Sequence, residues 1–237
     1  MSTSRQNENI KMIRHGLSVG LPIIIGYIPV ALTYGVLAKQ SGLSLMELTL
    51  MSMFVFAGAS QFMGANMIAV GAGVTEIVVA TFVLNFRHFV MSLSFMNVMK
   101  SLARSVKIPL SLGLTDESFA VATLHAQPSK EKKGYLFYVT IFLSAYLSWV
   151  LGSLIGGLMG DFIPAQLSQS MGIALYALFI GLLIPSVKKN LKVGLIALIA
   201  MLINLLFSQF MSDGWAIVFG TVLGGLAGLF LLRGDTE

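Results

Sequence analysis

Apolar residues run along this chain in long blocks separated by short polar joints. The blocks fall at about 16–38, 46–73, 76–99, 134–158, 169–187, 193–211 and 214–232, with a weaker one at 109–126. Crossing a bilayer as a helix takes about 20 apolar residues, so most blocks are long enough to span. The pattern predicts an all-α polytopic integral membrane protein with about 6–8 membrane segments. One membrane domain is expected over 16–233, after a polar cytoplasmic tail at 1–15 and before a short C-terminal tail at 234–237. The first apolar block is too long for a signal-peptide core and reads as a retained membrane helix.

Two blocks depart from the pattern. As one straight helix, residues 46–73 would reach about 40 Å, more than a ~30 Å hydrocarbon core. Its centre reads Phe56-Ala57-Gly58-Ala59-Ser60-Gln61-Phe62. Residues 109–126 begin at Pro109 and carry Asp116 and Glu117 at their middle. Both are expected to be broken or re-entrant, because irregular backbone at membrane depth survives only under cover of protein or water. Charge supports this. If both blocks re-enter, the basic joints all fall on the cytoplasmic side: the N-terminal tail, 100–107, Lys130/Lys132/Lys133, Lys188/Lys189/Lys192 and Arg233. Lys39 is then the exception. Phe56-Ala57-Gly58-Ala59-Ser60 also echoes Phe119-Ala120-Val121-Ala122-Thr123, the kind of trace an inverted repeat leaves.

Composition narrows the function. The 237 residues are 56% hydrophobic and 11% charged, which leaves no room for a soluble domain. Cysteine is absent, excluding disulfides and thiolate metal sites. The net charge of +5 lies at segment ends, as orientation signals do, and points to no nucleic acid. No nucleotide-binding motif and no histidine pair with metal-ligand spacing is present, so no nucleotide, metal or cofactor is expected.

The candidate chemistry is buried charge. Asn85-Phe86-Arg87-His88 lies near the middle of block 76–99. An arginine there costs about 3 to more than 10 kcal/mol unless it faces protein or water, and such residues mark substrate or ion pathways. Arg87 could anchor a carboxylate, or it could lock two segments together by pairing with an acid. His88 could pass a proton. Asp116 and Glu117 could bind protons, pair with Arg87, or sit solvated in a loop. Gly58, Ser60, Gln61 and Asn66 form a third cluster. A helix restarting near Gly58 would offer amides to an anion, whereas the plain alternative is close packing with interhelical hydrogen bonds. Substrate contact is therefore expected at Gly58, Ser60, Gln61, Asn66, Asn85 and Arg87, and proton coupling at His88, Asp116 and Glu117. Pro22, Tyr27 and Pro29 read as a structural kink. Glycines 152, 156, 160 and 220, 224, 228 read as packing seams.

Several runs resemble the AzlC family, the large subunits of branched-chain amino acid exporters. They are PVALTYGVLAKQSG (29–42), MSMFVFAGASQFM (51–63), LNFRHFVMSLSF (84–95), TDESF (115–119), and the stretch from Ala177-Leu178-Phe179 to Pro185. The resemblance covers most of the chain. It implies secondary-active export of valine, leucine, isoleucine and, at the edge of the range, methionine, across the bacterial plasma (inner) membrane. It also implies a small hydrophobic partner of the AzlD type. Where relatives often carry an acid early in the fifth long segment, this chain has Gln169-Ser170-Met171-Gly172. Proton antiport fits the energetics. One proton moving through ~150 mV releases about 3.5 kcal/mol, enough for a solute gradient of a few hundred-fold. The rival readings are a channel for protons or small ions, and a membrane scaffold that transports nothing.

Overall fold

A computed structural model describes residues 2–126, 133–164, 173, 180–181 and 183–232. All regular structure among them is helical. The elements are α1 (Ser2–Gln40), α2 (Leu45–Phe54), α3 (Gly58–Ala69), α4 (Val74–Val98), α5 (Arg104–Leu112), α6 (Asp116–Leu124), α7 (Tyr135–Met159), α8 (Leu191–Phe207) and α9 (Asp213–Leu232). The block expected at 169–187 lies largely outside the described residues, as do Lys130, Lys132, Gln169–Gly172, Ala177–Phe179 and Arg233. Within α1, α4, α7 and α9 lie stretches long and apolar enough to cross a membrane.

α1 absorbs the polar tail that the sequence set apart: the helix runs on from Ser2 through Pro22 and Pro29 to Gln40. It lies parallel to α7 along most of its length. Gly16 packs at Phe137 and Thr140, Gly20 at Ile141 and Ser144, Gly152 at Ile28 and Ala31, and Gly156 against Leu32. Both chains advance together, so both helices start on one face of the membrane, here called the N-terminal face. Gly35 and Gly156 bring backbone directly against backbone, which no residue with a Cβ would allow. The seam expected at 152/156/160 is thus the α1–α7 seam. The one at 220/224/228 is an antiparallel hairpin, in which these glycines meet Asn204, Ala200 and Ile196 of α8.

α4 runs against α1 and α7. Its Arg87 and His88 share a cavity with Tyr27 and Trp149, while Phe95, two turns on, packs on Phe142, near the start of α7. Because α1 ends and α4 begins on the same face, α2 and α3 must return to that face. Contacts trace this. Leu45 and Leu48 meet Gly157, Met53 and Phe56 meet Tyr146 deeper in, Gly58 meets Trp149, and Phe62 climbs back to Tyr34. α5 and α6 do the same from the N-terminal face. Lys107 donates to the Met96 carbonyl, Gly113 approaches Phe142, Thr115 reaches Tyr27, and His125 returns beside Phe137 near the start of α7.

Two half-membrane hairpins therefore enter from opposite faces and meet tip to tip. Four spans, two hairpins and α8 make seven membrane segments among the described residues, within the expected range. The units α1–(α2,α3) and α4–(α5,α6) repeat with inverted orientation. The echo of Phe56–Ser60 in Phe119–Thr123 is not the trace of this repeat. Gly58 opens α3, and its structural counterpart is Asp116, which opens α6; Phe119 lies further along that helix.

Basic residues segregate. Lys11, Arg14, Lys100, Arg104, Lys107 and Lys133 lie toward the N-terminal face, as do Lys188 and Lys189, just before α8, and Lys192 in its first turn. The opposite face carries Glu47, Glu76, Asp161 and Asp213. Lys39 is there too, paired with Asp161 at 3.8 Å. Glu76 at the start of α4 accepts from the Gly214 amide at 3.0 Å and from the Ser212 hydroxyl, and so fastens α9 to α4.

Candidate functional site

Each hairpin tip is a helix break with its own local cause. α2 starts with a capping box: Ser44 accepts from the Glu47 amide, and the Glu47 carboxylate accepts from the Ser44 amide. It stops at Val55, because Phe56 takes a left-handed conformation with φ of +41°. A bulky residue is rare there and the strain is on the order of 1–3 kcal/mol. Its ring is 6% exposed and packs edge-on to Tyr146, while the Tyr146 hydroxyl bonds the Met53 carbonyl. Gln61 holds the other side of the break. Its Oε1 accepts from the Ala57 amide at 3.2 Å and from Trp149 Nε1 at 2.9 Å, and its Nε2 donates to Ser52 Oγ at 3.0 Å. α3 then restarts at Gly58 with no side-chain cap. Its first amides have no intrahelical acceptor, as at any helix start.

The second tip is built differently. Thr115 caps α6: its hydroxyl accepts from the Ser118 amide, and Ser118 Oγ accepts from the Thr115 amide at 2.8 Å. Asp116 and Glu117 occupy the first turn, where carboxylates complement the helix dipole. One tip thus presents unfilled amides, and the other presents two acids.

Both tips open into a single cavity of about 120 Å³, halfway along α1, α4 and α7. Its walls include Ile23, Gly26, Tyr27 and Val30 of α1, Phe56 to Ala59 at the first tip, Thr115 to Glu117 at the second, Arg87 and His88 of α4, and Trp149 of α7. At 10–15 Å³ or more per water, this is room for several waters or one small solute. Arg87 and His88 lie about 100° apart on the helix yet reach the same space. They sit behind the exposed stripe Phe82, Phe86, Phe89 and Leu93.

Arg87 Nη1 pairs with Asp116 Oδ2 at 2.6 Å, and each side chain is 35% exposed. Of the three readings open for Asp116, the ion pair is the one observed. The Arg87 Nε is buried and makes no hydrogen bond, so the guanidinium retains donor capacity. Glu117 has a different partner. Tyr27, 8% exposed, holds its hydroxyl 2.6 Å from Glu117 Oε2 and 2.6 Å from Thr115 Oγ1. With one proton to give, it donates to the carboxylate and accepts from the threonine.

The other expected residues fall elsewhere. Ser60 and Gln61 are fully buried behind the cavity wall, where Ser60 bonds the Ala57 carbonyl and Gln61 is used up holding the break. Asn66 lies on the exposed side of α3, away from the cavity. Asn85 is half-buried, with an unpartnered Oδ1, and does not line the cavity. Sequence reasoning passed over Tyr27 and Trp149. Tyr27 reads as part of a kink, and Trp149 sits in a block that reads as plain because it carries no charge. The available signal was polarity: a tyrosine between two prolines, and one of only two tryptophans, in mid-membrane. No group of three or more potential metal ligands occurs among the described residues.

A family profile described as "AzlC protein" matches residues 22–163, which span both hairpins and the whole cavity lining. The chain belongs to the AzlC family. Among its relatives is an "Uncharacterized membrane protein" of Archaeoglobus fulgidus, 32% identical over 205 residues, covering 82% of this chain and 87% of that one. The "Inner membrane protein YgaZ" of Escherichia coli is also 32% identical, over 219 residues, covering 90% and 88%. The "Branched-chain amino acid transport protein AzlC" of Bacillus subtilis is 27% identical over 173 residues, covering 73% and 66%. No solved structure matches. The chain is a membrane protein of a transport family, and the family match includes every residue of the cavity.

Proposed function

We propose that this AzlC-family protein exports branched-chain amino acids, valine, leucine and isoleucine foremost, by secondary active transport coupled to proton entry. In this reading the N-terminal face is cytoplasmic, the membrane is the bacterial plasma membrane, and a small AzlD-type subunit completes the permease. The observation that carries it is the meeting of opposite charges in one mid-membrane cavity between inverted hairpins. A zwitterion with an apolar side chain needs three things, and the cavity has a candidate for each. The substrate carboxylate would take the Arg87 guanidinium, which lines the cavity, and the open amides of α3 near Gly58. Its ammonium would face Asp116 and Glu117. Its side chain would lie against Ile23, Val30, Phe56 and Trp149.

Alternating access follows from the same layout. Each hairpin closes the cavity toward its own face, so withdrawing one opens that face alone. The clustering of basic residues on the N-terminal face supports a cytoplasmic N-terminus by the positive-inside bias. His88, Asp116 and Glu117 are the groups through which a proton could be carried.

The test loads cells with a valine-containing dipeptide and follows intracellular valine with and without the gene and its small neighbour. Faster, saturable and stereoselective loss of L-valine is the expected result. Equal retention in both strains removes the export assignment, and export that ignores collapse of the proton gradient removes the antiport.

A further inference from the structure

The two adjacent acids at the tip of the second hairpin have unlike partners, and an exchanger needs them to differ. Asp116 is bound to a permanent cation at 2.6 Å, because arginine does not deprotonate in proteins. A carboxylate held in this way already has a fixed partner for its charge. Glu117 is one residue on, about 100° around the helix, and takes a hydrogen bond from a neutral hydroxyl. Its Oε2 accepts from Tyr27, and Tyr27 is in turn tied to Thr115, the cap of the same helix. The groups of charge or titration facing Glu117 are Tyr27 from α1, Arg87 and His88 from α4, and Asp116 beside it. α3 and α7 contribute Gly58, Ala59 and Trp149, which do not titrate.

Building on the export reading above, we propose that Glu117 is the exchange acid: its carboxyl holds either a proton or the ammonium of the amino acid, but never both. Asp116 is the fixed counter-ion that keeps Arg87 in place, and Tyr27 is a positioning residue that aims Glu117 into the cavity. The step balances as follows. When the ammonium enters from the cytoplasmic side, Glu117 releases its proton to water and pairs with the incoming cation. On the other side a proton from water returns to the carboxylate, the pair breaks, and the amino acid leaves. Occupancy by one or the other, and never both, couples the two movements.

The experiment uses the full chain in lipid nanodiscs, with any co-purifying subunit retained, in weak buffer with a pH-sensitive dye. L-valine is added, and proton release and binding are read together at several pH values. Wild type is expected to release a proton on binding. Its apparent Kd should rise about tenfold per pH unit on the acid side, the limit for one competing proton. Asp116→Asn binds valine more weakly, because Arg87 loses its counter-ion, yet each valine that binds still displaces a proton. Glu117→Gln gives none, and its weaker valine binding no longer depends on pH; Glu117→Asp restores both. Release that survives Glu117→Gln and vanishes in Asp116→Asn overturns the assignment in favour of Asp116. Loss of release in the His88→Gln variant alone transfers the role to His88. Absence of any valine binding by wild type counts instead against the export reading itself, so the two failures are distinguishable.

Discussion

Replacing Gly58 by alanine tests whether the first hairpin tip is built as described. A Cβ at this position would lie 2.7 Å from Trp149 Cη2, whereas ordinary contact begins near 3.4 Å. The indole would have to retreat by about 0.7 Å. It has little freedom to do so: the ring is 4% exposed, is edge-on to Tyr27 at 5.4 Å, and stacks on Tyr34 at 6.4 Å. Its Nε1 is also held 2.9 Å from Gln61. Overpacking of this kind costs about 1–3 kcal/mol. A stretched buried hydrogen bond adds roughly 1 kcal/mol, and the better helix propensity of alanine returns up to about 1 kcal/mol. The net expectation is a loss of about 1–3 kcal/mol, or roughly 5- to 150-fold in the folded-to-unfolded ratio. Gly26→Ala is the reference. It lines the same cavity, but its Cβ would meet nothing within 4 Å, so no loss of stability is expected. Reversible unfolding in mixed detergent micelles measures both variants, and tryptophan emission reports the displaced indole. If Gly58→Ala is as stable as wild type with unchanged emission, the packing account of the break is wrong.

Two further outcomes follow from the geometry. Arg87→Ala and Asp116→Ala each leave one partner without its counter-ion, so the double variant should be better folded than the sum of the singles implies. A coupling of about 0.5–3 kcal/mol in a thermal-stability cycle is expected, and additivity would deny the ion pair. The absence of cysteine makes the chain ready for accessibility mapping. Single cysteines at Lys100 and Lys133 should react with a membrane-impermeant maleimide only from the cytoplasmic side, and those at Ser41 and Gly73 only from outside; external labelling at Lys100 would refute the re-entrant arrangement.

The sequence made the class and the two irregular segments legible because both depend on local quantities. A 28-residue apolar run with a polar centre is too long for one crossing, whichever fold contains it. The same holds for the pairing of Arg87 with an acid, since an unpaired guanidinium in hydrocarbon is costly. Which acid it would be was not legible, because Asp116 and Glu117 are neighbours and only the angle at which α6 leaves its break separates them. The roles of Gln61 and Tyr27 were hidden for a similar reason. Gln61 looks like a ligand until Trp149, 88 positions away, takes its Oε1. Tyr27 looks like a bystander to two prolines until Glu117, 90 positions away, reaches its hydroxyl. Asn66 shows the converse: polarity alone points to the cavity, and the turn of α3 carries it to the outside.

The parallel contact of α1 with α7 bears on how such a protein can move at all. Where Gly35 and Gly156 press main chain to main chain, neither helix has side chains to slide over or repack. The two behave as a keel. Conformational freedom is left to the short limbs on either flank, levers of nine to twelve residues, while changes along the keel register as failure to assemble.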